Sequence, residues 1–422
     1  MAGALDGLRV IELSIAVQGP AAGVYLADMG AEVIKVEPPL GDPSRYGRGV
    51  DNATPVGTPG PQFVACNRGK RSVCMDLATP EGNRAMHALL SAGDVFLSNY
   101  RAPALKKLGL DYDTLAARYP RLVHATVNGF GPLGPDAERA MLDGAAVARG
   151  GLAGMTGYDD RPPVLPAATV GDHAGAMQLA MGIVTALFAR ERNGRGQQVC
   201  TSALGAQLWL QQWELTHVSM TGARLPPAGS HHPNIRGPYG IYRTADGGAI
   251  MIAQTMAAPA WDAFCVFADL PELAFDARWN TPGGRLGEGN TAEDSAYVRE
   301  CLTTAFARHT TAAWEAFLRS QPEIIFERVR RWEDVFDDPQ NHANGYLAEV
   351  PVSGVGNVRL VGNLVHLSAT PGRVAGGPPD LGEGNQAVLS AAGLSAVEID
   401  ALTSHATSRR EAILAALLPG SD

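Results

Sequence analysis

Asp172 is the carboxylate whose setting most invites chemistry. It sits in the segment Ala168-Thr169-Val170-Gly171-Asp172-His173-Ala174-Gly175. Just beyond it Met177, Met181, Val184 and Phe188 recur at three- and four-residue intervals, the spacing of one helix face. Gly194-Arg195-Gly196 would end that helix. One role for an Asp at a helix mouth is the N-cap. The other is chemical. A helix N-terminus favours the carboxylate and lowers its pKa, and the small neighbours Gly171, Ala174 and Gly175 leave room for a substrate. Such a carboxylate can be a nucleophile toward an activated acyl group, and the two roles are compatible. His173 is read as a structural or pocket-lining histidine, because adjacent helix residues point in different directions.

Cationic residues cluster at Arg45/Arg48, at Asn67-Arg68-Gly69-Lys70-Arg71 and at Arg101/Lys106/Lys107. They stand out in an acidic chain with 34 Lys and Arg against 43 Asp and Glu, a net charge of −9. A polyphosphate ligand lying beside strand ends would need such side chains; solvated surface charge is the competing explanation. His231-His232 has no partner at a metal-site spacing and reads as part of a polar loop. No GxGxxG follows the first strand, where the turn reads SIAVQGP, and GxxxxGK[ST], HExxH and GxSxG are absent from the sequence.

The elements that must position these residues alternate. Strands are expected over 8–13, 32–37, 71–77, 94–99 and 121–128, with helices between them. Pro20 and the Thr79-Pro80-Glu81 start mark two of those helices, and Gly30 and Gly93 mark their ends. Strands separated by helices imply parallel pairing in a wound α/β layer. A second apolar helix is expected over 203–220. The texture then changes: PPAGSHHPNIRGPYG reads as a linker. Beyond it, a strand over 249–254 and helical segments over 261–270 and 297–320 suggest a smaller domain. The tail adds a strand at 356–360, a loop at 370–384 and a final helix.

The length of 422 residues fits two or three folding units, and 45% hydrophobic with 18% charged residues is a globular composition. The acidic balance argues against a general nucleic-acid binder. Five scattered cysteines without CxxC spacing indicate neither a disulfide framework nor a zinc ribbon. The first residues lack the pattern of a secretory leader, and no apolar run has membrane-span length. A reducing, cytoplasmic location with no membrane partner is the expectation.

Several long segments together resemble the class III coenzyme A transferases, a family that includes formyl-CoA and carnitine CoA-transferases. They are LDGLRVIELSIAVQGPAAGVYLADMGAEVIKVEPPLGDPSR, NRGKRSVCMDLATPEG, DVFLSNYRAPALKKLGLDYDTLAARYPRLVHATVNGFGPLGP and GDHAGAMQLAMGIVTALFARERNGRGQQV, with DDPQNHANG and GPPDLGEGNQAVL in the tail. The resemblance implies an α/β fold: a Rossmann-like large domain with a parallel sheet, built from residues 1–224 and a returning 331–422. A smaller α+β domain with linkers lies between them at 225–330, and two subunits interlock as a homodimer. It also implies transfer of coenzyme A from an acyl-CoA donor to a free carboxylic acid acceptor through a covalent intermediate on Asp172. Coenzyme A is then part of the substrate, with no resident cofactor or metal.

CoA contacts carried over from the resemblance are Val17 and Gln18; Met75, Asp76, Leu77 and Ala78; Asn99, Tyr100 and Arg101; Lys107; and Ala140, Met141 and Leu142. Lys70 and Arg71 either join them or anchor their strand, and Arg45 is the candidate substitute for an Arg that many relatives carry where this chain has Pro38-Pro39. The acceptor is open: a basic pocket would suit a dicarboxylate such as succinate. Alternatives within the fold are an acyl-CoA racemase, transfer within one dicarboxylyl-CoA, and a non-catalytic acyl-CoA binding protein. The racemases carry a His before the Asp that matches Asp143; here Leu142 stands in that place.

Overall fold

The computed structural model describes residues 2–253 and 258–417. Five of the six strands of its main sheet fall where the apolar runs place them: β1 (Arg9–Leu13), β2 (Glu32–Glu37), β3 (Arg71–Cys74), β4 (Val95–Ser98) and β5 (Val123–Asn128). A sixth, β6 (Gln198–Ser202), follows the long helix Val170–Asn193. All neighbours pair in parallel, in the order β3-β2-β1-β4-β5-β6. That order reverses between β1 and β4. In doubly wound sheets such a switch point opens a crevice at the carboxyl ends of the strands.

Strand alternation feeds two cores. Ile11, Leu13, Ile34, Val36, Val73 and Phe96 face one layer, with Met86, Leu89 and Leu90 of the helix Pro80–Ser91 and with Leu389, Ile399 and Leu402 of the tail. Val10, Val33, Val95, Leu97, Val123 and Ala125 face the other, against Ala22 and Leu26 of the helix Gln18–Asp28 and Leu179, Ile183 and Leu187 of the long helix. Several contacts tie the tail to the sheet edge, among them the Gly382 and Gly384 N–H groups donating to the Ser72 hydroxyl and carbonyl of β3. Asn385 accepts the Cys74 N–H at 2.8 Å and donates to the Cys74 carbonyl at 3.1 Å, as a neighbouring strand would.

The chain forms two compact units. One comprises Met1–Gly150, Ala167–Leu210 and Phe336–Asp422; the other comprises Gly151–Pro166 and Gln211–Val335. The second thus takes in a short early segment that composition did not mark, and it starts before the proline-rich loop. Its antiparallel strands β7 (Gly240–Arg243), β8 (Ala249–Ala253) and β9 (Ile325–Arg328) pack with helices around Trp261, Phe264, Phe306 and Trp314. The expected strand over 249–254 reaches Ala253; Gln254 lies outside the described residues. The first unit also carries an antiparallel pair, β10 (Leu347–Val352) with β11 (Gly356–Val361).

Two expected helices are broken. The stretch 203–220 forms Ala203–Leu210 and Gln212–Thr221, and 297–320 forms Ala292–Phe306 and Thr311–Arg319. In the second case Thr310 caps the new helix by accepting the Ala313 N–H, so a fresh N-terminus interrupts the apolar pattern.

Candidate active site

The switch point is built by side chains that tie strand ends together. Asn99, just past β4, accepts the Ile15 N–H at 3.0 Å and donates to the Ile15 carbonyl at 2.7 Å, clamping the end of β1 to the end of β4. The next residue, Ala16, has φ of 63°, a left-handed backbone that side-chain-bearing residues rarely adopt. Its N–H donates to the Asp42 carboxylate at 3.2 Å. Asp42 is paired with the fully buried Lys35 ammonium at 2.9 Å, and Lys35 also donates to the Ser14 carbonyl. Lys35 and Asp42 thereby hold the strained turn that presents Val17 and Gln18.

A cavity of about 580 Å³ opens beside this turn, a size that suits a small-molecule site. Its wall includes Val17, Gln18, Asn99, Tyr100, Arg101, Ala140, Met141, Leu142 and Asp172. These scattered segments of the first unit therefore meet around one space. The cavity also has Tyr112 at the start of the helix Tyr112–Arg118, His124, Thr126, Asn128, Gln198 and Cys200 along β5 and β6, and Glu138 and Arg139 on the loop 129–142. Those residues carry no motif. Only the alternation along β5, which turns His124, Thr126 and Asn128 to one face, signals them in the sequence.

Asp172 lies in the first turn of the helix Val170–Asn193, not at its cap. Thr169 occupies the cap position and makes no side-chain cap bond. The missing acceptor comes from Asp143, at the start of the helix Asp143–Arg149, whose carboxylate takes the Asp172 N–H at 2.9 Å. A Cβ on Gly171 would stand 3.1 Å from that Asp143 oxygen and 2.8 Å from the Gln207 amide nitrogen. A Cβ on Gly175 would stand 2.6 Å from the Gln18 amide nitrogen. The small residues thus admit protein side chains as well as leaving space.

The acidity of Asp172 departs from the sequence expectation. Its pKa is raised to about 6, first by burial and then by the Asp143 carboxylate, with His173 opposing. These two effects outweigh the helix terminus. His173 is exposed and bonds back to Thr169 through Nδ1.

The remaining residues of the expected CoA set lie elsewhere. Lys70 is wholly buried. Its ammonium meets the Glu12 carboxylate at 2.7 Å and donates to the Pro20 carbonyl and to Asn67, which uses its three donors inside the protein. Burial pushes its pKa down to about 8. Arg45 forms a two-pronged pair with Glu37, donates to the Pro379 carbonyl, and lies over the Phe63 ring. Arg71 joins Glu32 at the amino ends of β2 and β3, the side of the sheet opposite the cavity. Met75 is fully buried in the core and Leu77 packs against it. Asp76 faces His405 and accepts the Ala78 N–H; Ala78 is exposed. Lys107 sits in the last turn of the helix Ala102–Leu108. Lys70 and Arg45 are therefore structural ion pairs rather than free phosphate ligands, because each has its donors engaged by the fold.

In the second unit, His232 accompanies Glu214 at 3.1 Å and stacks on Trp213, while Nδ1 of His231 faces the Tyr239 carbonyl. Among the described residues no group of three His, Cys, Asp or Glu side chains is placed to hold a metal ion.

The sequence model of CoA-transferase family III matches residues 5–385, and the chain belongs to that family. It is 33% identical over 394 residues to a succinyl-CoA--D-citramalate CoA-transferase of Chloroflexus aurantiacus, covering 92% of this chain and 93% of that one. It is also 33% identical over 399 residues to a succinyl-CoA:mesaconate CoA-transferase of Haloarcula marismortui, with 93% and 97% covered. A solved CAIB/BAIF family protein from Brucella suis superposes with a TM-score of 0.78 at 29% identity, covering 93% of this chain and all of that one. The chain is thus a CoA-transferase, an enzyme that moves coenzyme A from an acyl-CoA thioester to a free carboxylic acid.

Proposed function

We propose that the transfer runs through covalent intermediates on Asp172, with dicarboxylic substrates on both sides. A carboxylate oxygen of Asp172 attacks the donor thioester carbonyl; the C–S bond breaks, leaving a mixed anhydride and the CoA thiolate. The thiolate attacks the aspartyl carbonyl, the anhydride C–O bond breaks, and the donor acid leaves. The acceptor carboxylate then attacks the aspartyl-CoA thioester and releases the thiolate again. Finally the thiolate attacks the acceptor's acyl carbon, giving the new acyl-CoA and restoring the Asp172 carboxylate. Thioester energy is conserved at each step, which splits one difficult exchange into easier ones.

The observation that carries this reading is the placement of Asp172. It opens into the cavity from the first turn of its helix, with its amide fixed by Asp143. A pKa of about 6 leaves it mostly ionised at neutral pH while keeping its basicity, and hence its nucleophilicity, above that of an ordinary aspartate. Tyr100, Asn99 and Arg101 offer the route for the CoA chain, and Arg101 is the cation best placed for its phosphates. Dicarboxylate use is supported by the relatives named for succinyl-CoA, citramalate and mesaconate. The interlocked homodimer is part of the same reading, as is the reducing cytoplasm, which suits five free thiols. The test is hydroxylamine trapping during incubation with succinyl-CoA. A hydroxamate on Asp172, absent from Asp172→Ala, is the expected result. Its absence during measurable CoA transfer would overturn the covalent route.

A further inference from the structure

We propose that Arg139 reads the second carboxylate of a dicarboxylic substrate and so selects succinate-like acids over monocarboxylic acids. This rests on the transfer reading above and names the group that would set its substrate class.

Two arginines line the cavity, Arg101 and Arg139. Arg139 belongs to the loop 129–142, which is anchored at both ends. The Asn128 side chain accepts the Gly131 N–H at 2.7 Å, and Met141 packs where a Cβ on Gly129 would lie. The loop then runs through Ala140, Met141 and Leu142 into Asp143, the residue that holds the Asp172 amide. Arg139 is thus carried on the same short segment that positions the nucleophile.

Its charge is not spent within the loop. Arg139 and Arg149 lie over one ring, Phe130, at 5.4 and 5.1 Å from its centroid. They share one carboxylate, Asp136. Arg149 takes it in a close ion pair, and Arg139 stands off at 3.9 Å with its side chain more than half exposed. Two cations on one anion leave a surplus positive charge, and the residue that retains it lines the cavity. Glu138 and Asp111 also line the cavity, and among the described residues neither is ion-paired to Arg139.

The chemistry calls for such a charge. A dicarboxylyl-CoA donor brings its distal carboxylate toward the Asp172 carboxylate, and an acceptor dianion approaches the aspartyl-CoA thioester beside the Asp143 carboxylate; like charges repel. A guanidinium at the far end of a dicarboxylate offsets that repulsion and fixes orientation through paired N–H donors. A monocarboxylate presents a methyl group there and gains nothing. A CoA phosphate is the rival partner for Arg139, and it would be lost equally for every acyl group.

The test compares wild type, Arg139→Gln and Arg139→Lys. It measures kcat/KM with succinate and glutarate against the methyl-ended butyrate and valerate as acceptors, and with succinyl-CoA against butyryl-CoA as donors. Thermal melting of each variant accompanies the kinetics. Arg139→Gln is expected to lower the dicarboxylate values about 10–100-fold while the monocarboxylate values stay within about twofold, and Arg139→Lys to recover part of the loss. Equal losses for both classes would assign Arg139 to phosphate or to the fold and overturn the inference. So would a preference that survives Arg139→Gln, or a wild type that uses both classes equally. A wild type that transfers CoA to none of the acids would overturn the transfer reading itself.

Discussion

The carboxylate of Asp143 accepts the backbone N–H of Asp172 at 2.9 Å. This contact does two things. It satisfies a first-turn donor that Thr169 leaves unpaired, and it brings a second negative charge near the nucleophile. Both effects raise testable expectations.

The pH dependence comes first. The reacting form of Asp172 is the carboxylate, so kcat/KM should fall as pH drops through about 6. Asp143→Asn keeps an oxygen for the Asp172 N–H but removes the charge. The acid limb of the profile should then move to lower pH, by about one unit or less, because burial, the larger cause, remains. Asp143→Leu should in addition cost roughly 1 kcal/mol of stability as a lost cap. A pH–rate profile with parallel melting curves separates the two.

Asp172 should be a stability liability. Its folded pKa lies above the unfolded value, so its favourable contribution is fully present below about pH 4 and is lost as pH rises through about 6. Asp172→Asn should therefore be more stable than wild type at pH 7–8, by about 1–2 kcal/mol after discounting for its partial exposure, and should lose transfer activity. Chemical denaturation at pH 4 and pH 8 checks the sign: the gain should be present at pH 8 and smaller at pH 4.

The strained turn at Ala16 gives a third prediction. Ala16→Gly should be tolerated or slightly stabilising, by up to about 1 kcal/mol, because glycine enters the left-handed region freely. Ala16→Val should destabilise by more than that and raise KM for the acyl-CoA, since Val17 and Gln18 follow directly. Melting temperature and KM measured together test the coupling.

Lys70 and Arg101 should separate cleanly. Lys70→Met removes one partner of a buried pair and should cost about 3–5 kcal/mol, while the folded fraction keeps its KM for acyl-CoA. Arg101→Gln should leave stability nearly unchanged and raise that KM. A Lys70 variant that folds normally but binds acyl-CoA poorly would contradict the structural assignment.

The legibility of this molecule in its sequence follows from the range of the interactions involved. β1, β2, β4 and β5 are local apolar runs, and Thr79-Pro80-Glu81 marks a local helix start, so each could be read where it stands. Asp172 was legible because its neighbours are small and its helix is apolar. Its acidity was not, because Asp143 lies 29 residues upstream and meets it only in the fold. Lys70 and Arg45 looked like ligands because charge in a sequence does not reveal burial. Their partners Glu12 and Glu37 sit on neighbouring strands, in β1 and β2. Arg139 drew no attention because its surplus charge depends on Arg149 reaching Asp136 first. The two helix breaks fall on polar residues, Gln211-Gln212 and Arg308-His309-Thr310, which suit the exposed face of one continuous helix equally well, so the local pattern does not reveal them.

Oxygen tracing tests the covalent role of Asp172 most directly. An acceptor acid labelled with oxygen-18 in its carboxylate is supplied for a single turnover, and the peptide containing Asp172 is weighed afterward. In the anhydride route the last bond to break joins the acceptor's acyl carbon to its own former oxygen, which stays on the protein. Asp172 should therefore gain one oxygen-18 for each CoA transferred. Transfer of CoA with the displaced oxygen-18 found in the released donor acid or in water, and Asp172 unlabelled, would contradict the mechanism.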